Sequence, residues 1–256
     1  MTEATRHPPG TPCWVSLMVH GLDVTQSFYG ELFGWEFHPG PQQLGPYVRA
    51  LLDGEEVAGL GQLPAGRKLP IAWTPYLATE SADTTAETIR CCGGTVGVGP
   101  LDAADAGRMA MVSDPAGGVF GLWQPRAHAG TAVHGVPGAP ARYELITAGT
   151  SAVAKFYETV FGYDGEEADP SGPDVVTLRL EGRPVATLRG VGRGPAHEPG
   201  TAWLTYFQVD DADRAAHRVS ELGGKVRTPP GDGPFGRTAT VADPEGAVFA
   251  LLQPRL

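Results

Sequence analysis

One stretch of the chain occurs twice, and it constrains the fold more than any other feature. Residues 107–125 read GRMAMVSDPAGGVFGLWQP, and residues 236–254 read GRTATVADPEGAVFALLQP. The DPAG and DPEG segments have the composition of a tight turn, because Asp hydrogen-bonds its own backbone, Pro fixes φ and Gly accepts a positive φ. Alternating apolar residues on both sides predict that each copy is a β-hairpin.

The rest of the chain repeats in the same order. The segment SFYGELFGW at 27–35 returns as KFYETVFGY at 155–163, and the Gly-Gly pair at 93–94 returns at 223–224. The sequence therefore predicts an N-terminal tail at 1–10 and two homologous domains at 11–125 and 139–254. Residues 126–138 are rich in Ala, Gly, Pro and His without apolar periodicity, which predicts a linker.

The sequence pattern of each half of a repeat predicts one helix and four strands. In the first half, residues 13–20 alternate as a strand, Asp23 is the predicted N-cap of a helix that ends before Gly34, and strands follow at 35–38, 47–52 and 57–63. The order then repeats with a strand at 73–79, a helix at 82–92 and three strands. The predicted fold class is α+β, with four βαβββ modules whose curved mixed sheets carry the helices outside and leave a concave face open.

Length and charge exclude several classes of protein. The 256-residue chain has no apolar run near the ~20 residues that cross a bilayer, and its first residues lack the order of a signal peptide. Three cysteines without metal-type spacing favour a reducing compartment. We therefore expect a cytoplasmic protein, and a formal charge of −10 disfavours nucleic acid and membranes as partners.

Three motifs, each present twice, together resemble a known family. The FYxxxFG(W/Y) helix, the helix that ends in Gly-Gly and the DPxGxxFxLxQP hairpin are similar to the vicinal oxygen chelate superfamily of glyoxalases, bleomycin-resistance proteins and extradiol dioxygenases. The resemblance covers nearly the whole chain and implies two glyoxalase-like domains. Because four modules in one chain can supply the pairing that single-domain relatives obtain by dimerising, we expect a monomer, with a homodimer as the alternative. The superfamily holds metal enzymes, metal-free enzymes and binding proteins, so the function must be argued from the residues.

The resemblance also says where a metal would be held. Metal-dependent members carry His or Glu on the concave face of the first, fourth, fifth and eighth strands, because a divalent metal needs converging imidazole and carboxylate ligands. Neither repeat has convincing ligands there, and we expect no metal and no other cofactor. Of the histidines, only His20 is predicted to face the concave side of a sheet, here called a cup. His197 falls in a Pro/Gly loop. The aligned residues are Trp14, roughly Gly59, Thr74 and Gly121 in the first repeat, and Arg142, roughly Thr187, Leu204 and Ala250 in the second.

Strand alternation predicts which side chains line the two cups. The first cup is aromatic and nearly uncharged, and the second is apolar with a few polar groups. Glycines at 59 and 121 are predicted to make room for a ligand that the tryptophans could stack on. The alternative is that side chains or domain packing fill a cup. The predicted ligand-binding residues are Trp14, Ser16, Met18, Thr74, Tyr76, Gly121 and Trp123 in the first repeat, and Arg142, Glu144, Tyr206 and Gln208 in the second.

Apolar walls with sparse polar groups favour one function over two others. The favoured function is a metal-independent small-molecule-binding protein of the glyoxalase/bleomycin-resistance type, in antibiotic resistance or biosynthesis, with a largely apolar, aromatic ligand. A metal-free enzyme of natural-product metabolism that uses the same pocket is the alternative, and a metal-dependent lyase or dioxygenase is a third. Whether the chain is an enzyme stays open. The candidate acids and bases are Glu144, His20, Tyr76 and Tyr206.

Arg142 and Glu144 are the only charged pair on a predicted cup face. A charge that faces a pocket is costly to desolvate unless it is paired, so we expect a structural role that fixes the domain interface, through either a mutual ion pair or partners supplied from the facing module. In the alternative, Arg142 anchors a carboxylate or phenolate of a ligand and Glu144 acts as a base.

Overall fold

The structure is a computed structural model that describes residues 7–42, 45–64, 66, 69–131, 133–167, 174–191 and 200–255. His197 lies outside these residues. Among the described residues, no helix combines the length and the apolar composition that a membrane span requires.

The described chain contains the four predicted βαβββ modules. Module 1 is β1 (Pro12–Val19), α1 (Leu22–Phe33), β2 (Glu36–Pro39), β3 (Tyr47–Leu52) and β4 (Glu55–Gln62). Module 2 is β5 (Trp73–Ala78), α2 (Ala82–Cys91), β6 (Thr95–Ala103), β7 (Gly107–Ser113) and β8 (Val119–Pro125). Module 3 is β9 (Pro140–Thr147), α3 (Thr150–Phe161), β10 (Asp164–Glu167), β11 (Val175–Leu180) and β12 (Arg183–Gly190). Module 4 is β13 (Ala202–Gln208), α4 (Ala212–Glu221), β14 (Lys225–Gly233), β15 (Gly236–Ala242) and β16 (Val248–Pro254).

The predicted α+β class is confirmed, and the sheets are mixed. Strands β1–β8 belong to one eight-stranded sheet and β9–β16 to a second. In every module the first and fourth strands pair in parallel, because the helix returns the chain to the same end of the sheet. The other strand pairs within each module are antiparallel. The module orders are β2-β3-β4-β1, β5-β8-β7-β6, β10-β11-β12-β9 and β13-β16-β15-β14.

The chain forms two compact units, and neither is a continuous segment. Unit 1 comprises Met1–Cys13, Pro75–Ala129 and Tyr143–Leu204, and unit 2 comprises Trp14–Thr74, Gly130–Arg142 and Thr205–Leu256. Unit 1 thus holds modules 2 and 3, and unit 2 holds modules 1 and 4. Each unit draws one module from each sequence repeat, so the repeat and the compact unit divide the chain differently. The bounds predicted above describe the repeat.

A buried tyrosine and a buried aspartate join the two repeated motifs inside unit 2. The Tyr29 hydroxyl of α1 donates to Asp243 Oδ2 of the DPEG turn at 3.1 Å, and Trp73 Nε1–H donates to the Tyr29 hydroxyl at 2.8 Å. The rings of Tyr29, Phe33 and Phe249 pack around this group. In unit 1, Tyr157 of α3 donates in the same way to Asp114 Oδ2 at 3.2 Å. The helix motif of one repeat therefore meets the turn motif of the other.

Helix α1 begins differently from the sequence prediction. The prediction that Asp23 caps it is wrong, because the N-cap residue is Gly21, which provides no side-chain cap. The Glu245 carboxylate accepts hydrogen bonds from the backbone N–H groups of His20 at 2.8 Å and Gly21 at 2.5 Å. A negative charge is favourable at this end of the helix dipole. The other end follows the prediction, since Gly34 has left-handed dihedral angles.

Candidate functional site

Tyr47 covers the two glycines of strand β4 in unit 2. Tyr47 lies opposite Gly61 across β3 and β4, and a methyl group added to Gly59 would collide with the Tyr47 hydroxyl. The space at Gly59 is therefore filled by a tyrosine, and the prediction that it is left for a ligand is wrong. Tyr47 was missed from sequence, although a Gly-x-Gly segment facing an aromatic residue on a neighbouring strand is a recognisable signal.

The Tyr47 hydroxyl connects two predicted site residues on strand β1. Trp14 Nε1–H donates to Tyr47 Oη at 3.0 Å, and Ser16 Oγ lies 2.7 Å from the same oxygen. Burial raises the pKa of Tyr47, and its hydrogen bonds with Ser16 and Trp14 offset part of that rise. The phenol therefore stays protonated at neutral pH. Trp14, Ser16 and Tyr47 form one aromatic and polar cluster.

The remaining predicted residues of module 1 lie near this cluster or apart from it. Met18 is 36% exposed, and its sulfur would contact a methyl group added to Gly61. Thr74 Oγ1 donates to the carbonyl of Ala72 at 3.3 Å. His20 is exposed, and its backbone N–H makes the contact with Glu245 described above. Met18 thus extends the cluster, whereas Thr74 bonds the neighbouring backbone and His20 contacts Glu245 through its backbone.

The corresponding face of unit 1 is also filled by aromatic side chains. A methyl group added to Gly121 would collide with the Tyr76 ring, so this glycine likewise accommodates a tyrosine. The Tyr76 hydroxyl donates to Met111 Sδ at 3.4 Å, and Trp123 Nε1–H donates to the carbonyl of His128 at 2.8 Å. Tyr76 and Trp123 are therefore anchored by the chain itself.

Unit 1 carries a charged pair that sequence reasoning missed. Glu144, a buried residue of β9, accepts a hydrogen bond from Arg189 Nε of β12 at 3.1 Å. The side chain of Arg189 is 40% exposed. In unit 2, Arg49 and Glu56 form another pair at 2.5 Å beside the Tyr47 cluster. The prediction that Arg142 and Glu144 are the only charged pair on these faces is therefore wrong.

Arg142, in unit 2, stacks on an aromatic ring. Its guanidinium carbon lies 3.2 Å from the ring centroid of Phe235 and 6.0 Å from that of Tyr206. Phe235 occupies the tip of the β14–β15 hairpin and was not predicted from sequence. The side-chain amide of Gln208 donates to the carbonyl of Gly135 at 3.2 Å. Of the predicted residues of module 4, Tyr206 is thus the one placed beside Arg142.

Strand registers show how modules 1 and 3 diverged. In the strand register, Ser16 of β1 lies opposite Gly59 of β4, and Glu144 of β9 lies opposite Thr187 of β12. The matching registers support the alignment of the fourth strands. Arg189 corresponds to Gly61 by the same registers, and Tyr47 corresponds to a valine at 175. A tyrosine over glycines in module 1 is therefore replaced in module 3 by an ion pair between the buried Glu144 and the half-exposed Arg189.

The residues at the candidate metal positions do not fit a metal. Module 1 offers an indole and a glycine at Trp14 and Gly59, and in module 3 the hydroxyl of Thr187 lies beside Glu144. In the part of the chain that the structure describes, no three His, Cys, Asp or Glu side chains are grouped as a divalent transition metal requires.

Glu144→Gln is expected to lower the free energy of unfolding by about 1 kcal/mol, because a charge-assisted hydrogen bond is lost while half-exposed Arg189 can turn to water. The matched control is Glu158→Gln, in an exposed pair with Lys155, which should cost less than about 0.5 kcal/mol. Thermal unfolding with ligand titration distinguishes the roles. Lost affinity or turnover with an unchanged melting temperature would assign Glu144 a chemical role.

The fold and the side chains define a class of protein. Four βαβββ modules with parallel first and fourth strands confirm the resemblance to the vicinal oxygen chelate superfamily. The family model described as Glyoxalase/Bleomycin resistance protein/Dioxygenase superfamily matches residues 139–251, and the chain belongs to this superfamily.

Two curated relatives match nearly the whole chain. A Mycobacterium tuberculosis protein that bears the name glyoxylase CFP32 is 34% identical over 259 residues, which cover 99% of this chain and 98% of the relative. The anthracycline biosynthesis protein DnrV of Streptomyces peucetius is 34% identical over 268 residues, which cover 98% of this chain and 96% of the relative.

A solved structure shows the same fold. The Mn(II)-bound glyoxalase from Novosphingobium aromaticivorans aligns with a TM-score of 0.66 at 18% identity, over 96% of this chain and 84% of that chain. At this identity the likeness concerns the fold alone.

Proposed function

We propose that the chain is a metal-independent protein that binds a largely apolar, aromatic small molecule on a face of its sheets. The observation that carries the proposal is the cluster of Trp14, Ser16 and Tyr47 over the glycines of β4. Trp14 and Ser16 are each 4% exposed, so a planar ring would meet this cluster at the half-buried Tyr47 and at the adaptable Met18, which is 36% exposed.

Two further findings support the proposal. The donor sets at the candidate metal positions do not fit a metal, which favours binding by stacking, burial and hydrogen bonds. One relative is named for anthracycline biosynthesis, and the chromophore of an anthracycline is a planar system of fused aromatic rings. A protein of natural-product metabolism or resistance would need a face that accepts such rings.

Tryptophan fluorescence tests the proposal. Titration with a panel of anthraquinones, naphthoquinones and flavones is expected to give saturable quenching by at least one compound, because a stacked ring lies close to Trp14. Trp14→Phe should weaken both the quenching and the affinity, and Trp123→Phe examines the face of unit 1 separately. Circular dichroism confirms that each variant is folded. Failure of every compound in the panel to quench or bind would refute the proposal.

Metal-free catalysis is the second candidate, and the buried carboxylate of Glu144 favours it. A positioned carboxylate can act as an acid or a base on a bound molecule. Mass spectrometry of each bound compound after incubation with the protein separates binding from turnover. Conversion that is lost in Glu144→Gln would make the chain an enzyme, and recovery of the unchanged compound supports binding alone.

A further inference from the structure

We infer that a cleft between helices α1 and α4 of unit 2 binds an organic cation, an ammonium group on an apolar body. The cleft has a volume of about 500 Å³. Its walls are the last turn of α1, one side of α4 and the Pro137-Gly138 segment that precedes β9. It shares no residue with the cluster of Trp14, Ser16 and Tyr47, so this inference goes beyond the proposed function and is separate from it.

The most buried side chains that line the cleft are apolar. Phe33 and Val209 are buried, and Leu32 and Ala215 are half-buried. The Phe33 ring packs on Phe207 with 5.1 Å between the ring centroids, which ties this surface to the aromatic core of unit 2. An apolar surface in a concave place gains free energy when hydrocarbon covers it. The cleft therefore suits an organic ligand better than an inorganic ion.

The polar groups of the cleft carry an excess of negative charge. Four carboxylates, two guanidinium groups and one imidazole line it, and Arg218 is already bonded to Glu31 at 2.7 Å and to Glu221 at 3.0 Å. In the part of the chain that the structure describes, no ion pair joins Asp210 or Asp211 to a cationic side chain, and both residues are exposed. A ligand cation would therefore meet two carboxylates without displacing an existing ion pair.

The C-terminal end of α1 adds to this negative potential. The last turn of α1, which the structure describes in full, has no basic side chain. The last carbonyl groups of a helix carry the negative end of its dipole and need donors from outside the helix. The Phe33 carbonyl oxygen lies next to Gly138, where an added methyl group would be 3.1 Å from it. An ammonium group has three N–H donors and no acceptor, so it matches carbonyl and carboxylate oxygens.

The N-terminal end of α4 does not make the cleft an anion site. A helix N-terminus by itself favours a negative charge. In α4 the chain supplies that charge, because the Asp211 carboxylate accepts a hydrogen bond from the backbone N–H of Arg214 at 2.9 Å, and Asp210 precedes it in the sequence. A ligand anion would meet these two carboxylates, whereas a cation is attracted to them.

Unit 1 shows that the fold does not require these charges. Helices α2 and α3 contact each other there, as α1 and α4 do in unit 2. The repeated motifs align Glu31 with Thr159 and Arg218 with Thr88, so two threonines stand where unit 2 has an ion pair. The residue aligned with the aspartate that caps α4 is Ser81, whose neutral hydroxyl caps α2. The charged cleft is therefore an addition to the fold in unit 2.

An NMR titration with three matched probes tests the inference. Cyclohexylmethylammonium, cyclohexylmethanol and cyclohexanecarboxylate carry a cation, a neutral hydroxyl and an anion on one saturated ring, which lacks the aromatic face used for stacking. The wild-type protein is expected to bind the ammonium compound about tenfold more tightly than the alcohol, and the carboxylate more weakly than either. The preference for the ammonium compound should shrink as salt is added. The amide signals that shift should be those of residues lining the cleft.

Variants that each remove one negative charge locate the site. Asp210→Asn and Asp211→Asn should each weaken binding of the ammonium compound about threefold and change binding of the alcohol less than about twofold. Asparagine also caps helices, so Asp211→Asn keeps the start of α4. Ala215→Leu narrows the cleft and should weaken binding of both compounds. The control is Asp232→Asn, which removes a 77% exposed carboxylate outside the cleft and should leave every affinity unchanged.

The outcomes separate this inference from the proposed function. Equal affinity for the ammonium compound and the alcohol, no binding of either, or tightest binding of the carboxylate would overturn the cation site. Signal shifts confined to residues outside the cleft would overturn it as well. Each of these results leaves the proposed function standing, because that function concerns aromatic compounds at Trp14 and Tyr47. Failure of the aromatic panel together with ammonium binding in the cleft would overturn the proposed function alone.

Discussion

Asp243→Ala is expected to lower the free energy of unfolding by about 3 kcal/mol or more, the largest effect of any substitution considered for this chain. The Asp243 carboxylate accepts hydrogen bonds from the backbone N–H groups of Glu245 and Ala247, both at 2.9 Å, and from the Tyr29 hydroxyl at 3.1 Å. Alanine would remove the acceptor of the buried Tyr29 hydroxyl and Ala247 N–H and of the part-buried Glu245 N–H. Thermal and urea unfolding measure the loss. The control is Asp232→Ala, which removes a 77% exposed carboxylate and should cost less than about 1 kcal/mol.

The loss of unfolding free energy caused by Asp243→Ala should also depend on pH. Burial raises the pKa of Asp243, and the hydrogen bonds from Ala247 and Tyr29 offset part of that rise. A carboxyl whose pKa is higher in the folded than in the unfolded protein contributes most stability below the unfolded value, about 4, and loses it as pH rises through the folded value. The difference in unfolding free energy between the wild type and Asp243→Ala should therefore widen as pH is lowered from neutral toward 4. A difference in unfolding free energy below about 1 kcal/mol at every pH in this range would contradict the view that Asp243 joins the two repeats.

Gly59→Ala is expected to cost about 2 kcal/mol, because the added methyl group would overlap the Tyr47 hydroxyl. In a Tyr47→Ala background the same change should cost less than about 0.5 kcal/mol, since the obstructing ring is gone. This double-mutant cycle isolates the contact between the two positions. Gly231→Ala is the control, because a methyl group there meets open space. Equal costs in both backgrounds would show that Tyr47 does not occupy this position.

Local sequence signals predicted the modules well. The alternating strands, the Gly-Gly helix ends and the left-handed caps at Gly34 and Gly162 follow from backbone preferences of short segments, and the structure has them all. The partners of these segments could not be predicted. Tyr29 and Asp243 belong to different repeats, and the carboxylate of Glu245 takes the capping role expected of Asp23.

The sequence analysis assigned candidate site residues to strand faces but did not identify their side-chain partners. Trp14 and Ser16 are buried and Tyr76 is half-buried, but the rings that fill the glycine positions come from residues whose register the sequence leaves open. Arg189 illustrates the limit. It reaches Glu144 only because β12 pairs with β9 in one register, and a shift of one residue would place it on the other face.

Titration of an aromatic ligand before and after removal of metal tests the central claim most directly. The protein is stripped with a chelator, its metal content is checked by mass spectrometry, and the compound that quenches tryptophan fluorescence most strongly is titrated without metal and again with added Mn²⁺. The account predicts the same Kd in both titrations, because Trp14, Tyr47 and their neighbours supply stacking and hydrogen bonds without metal ligands. Binding that appears only when Mn²⁺ is added would contradict it.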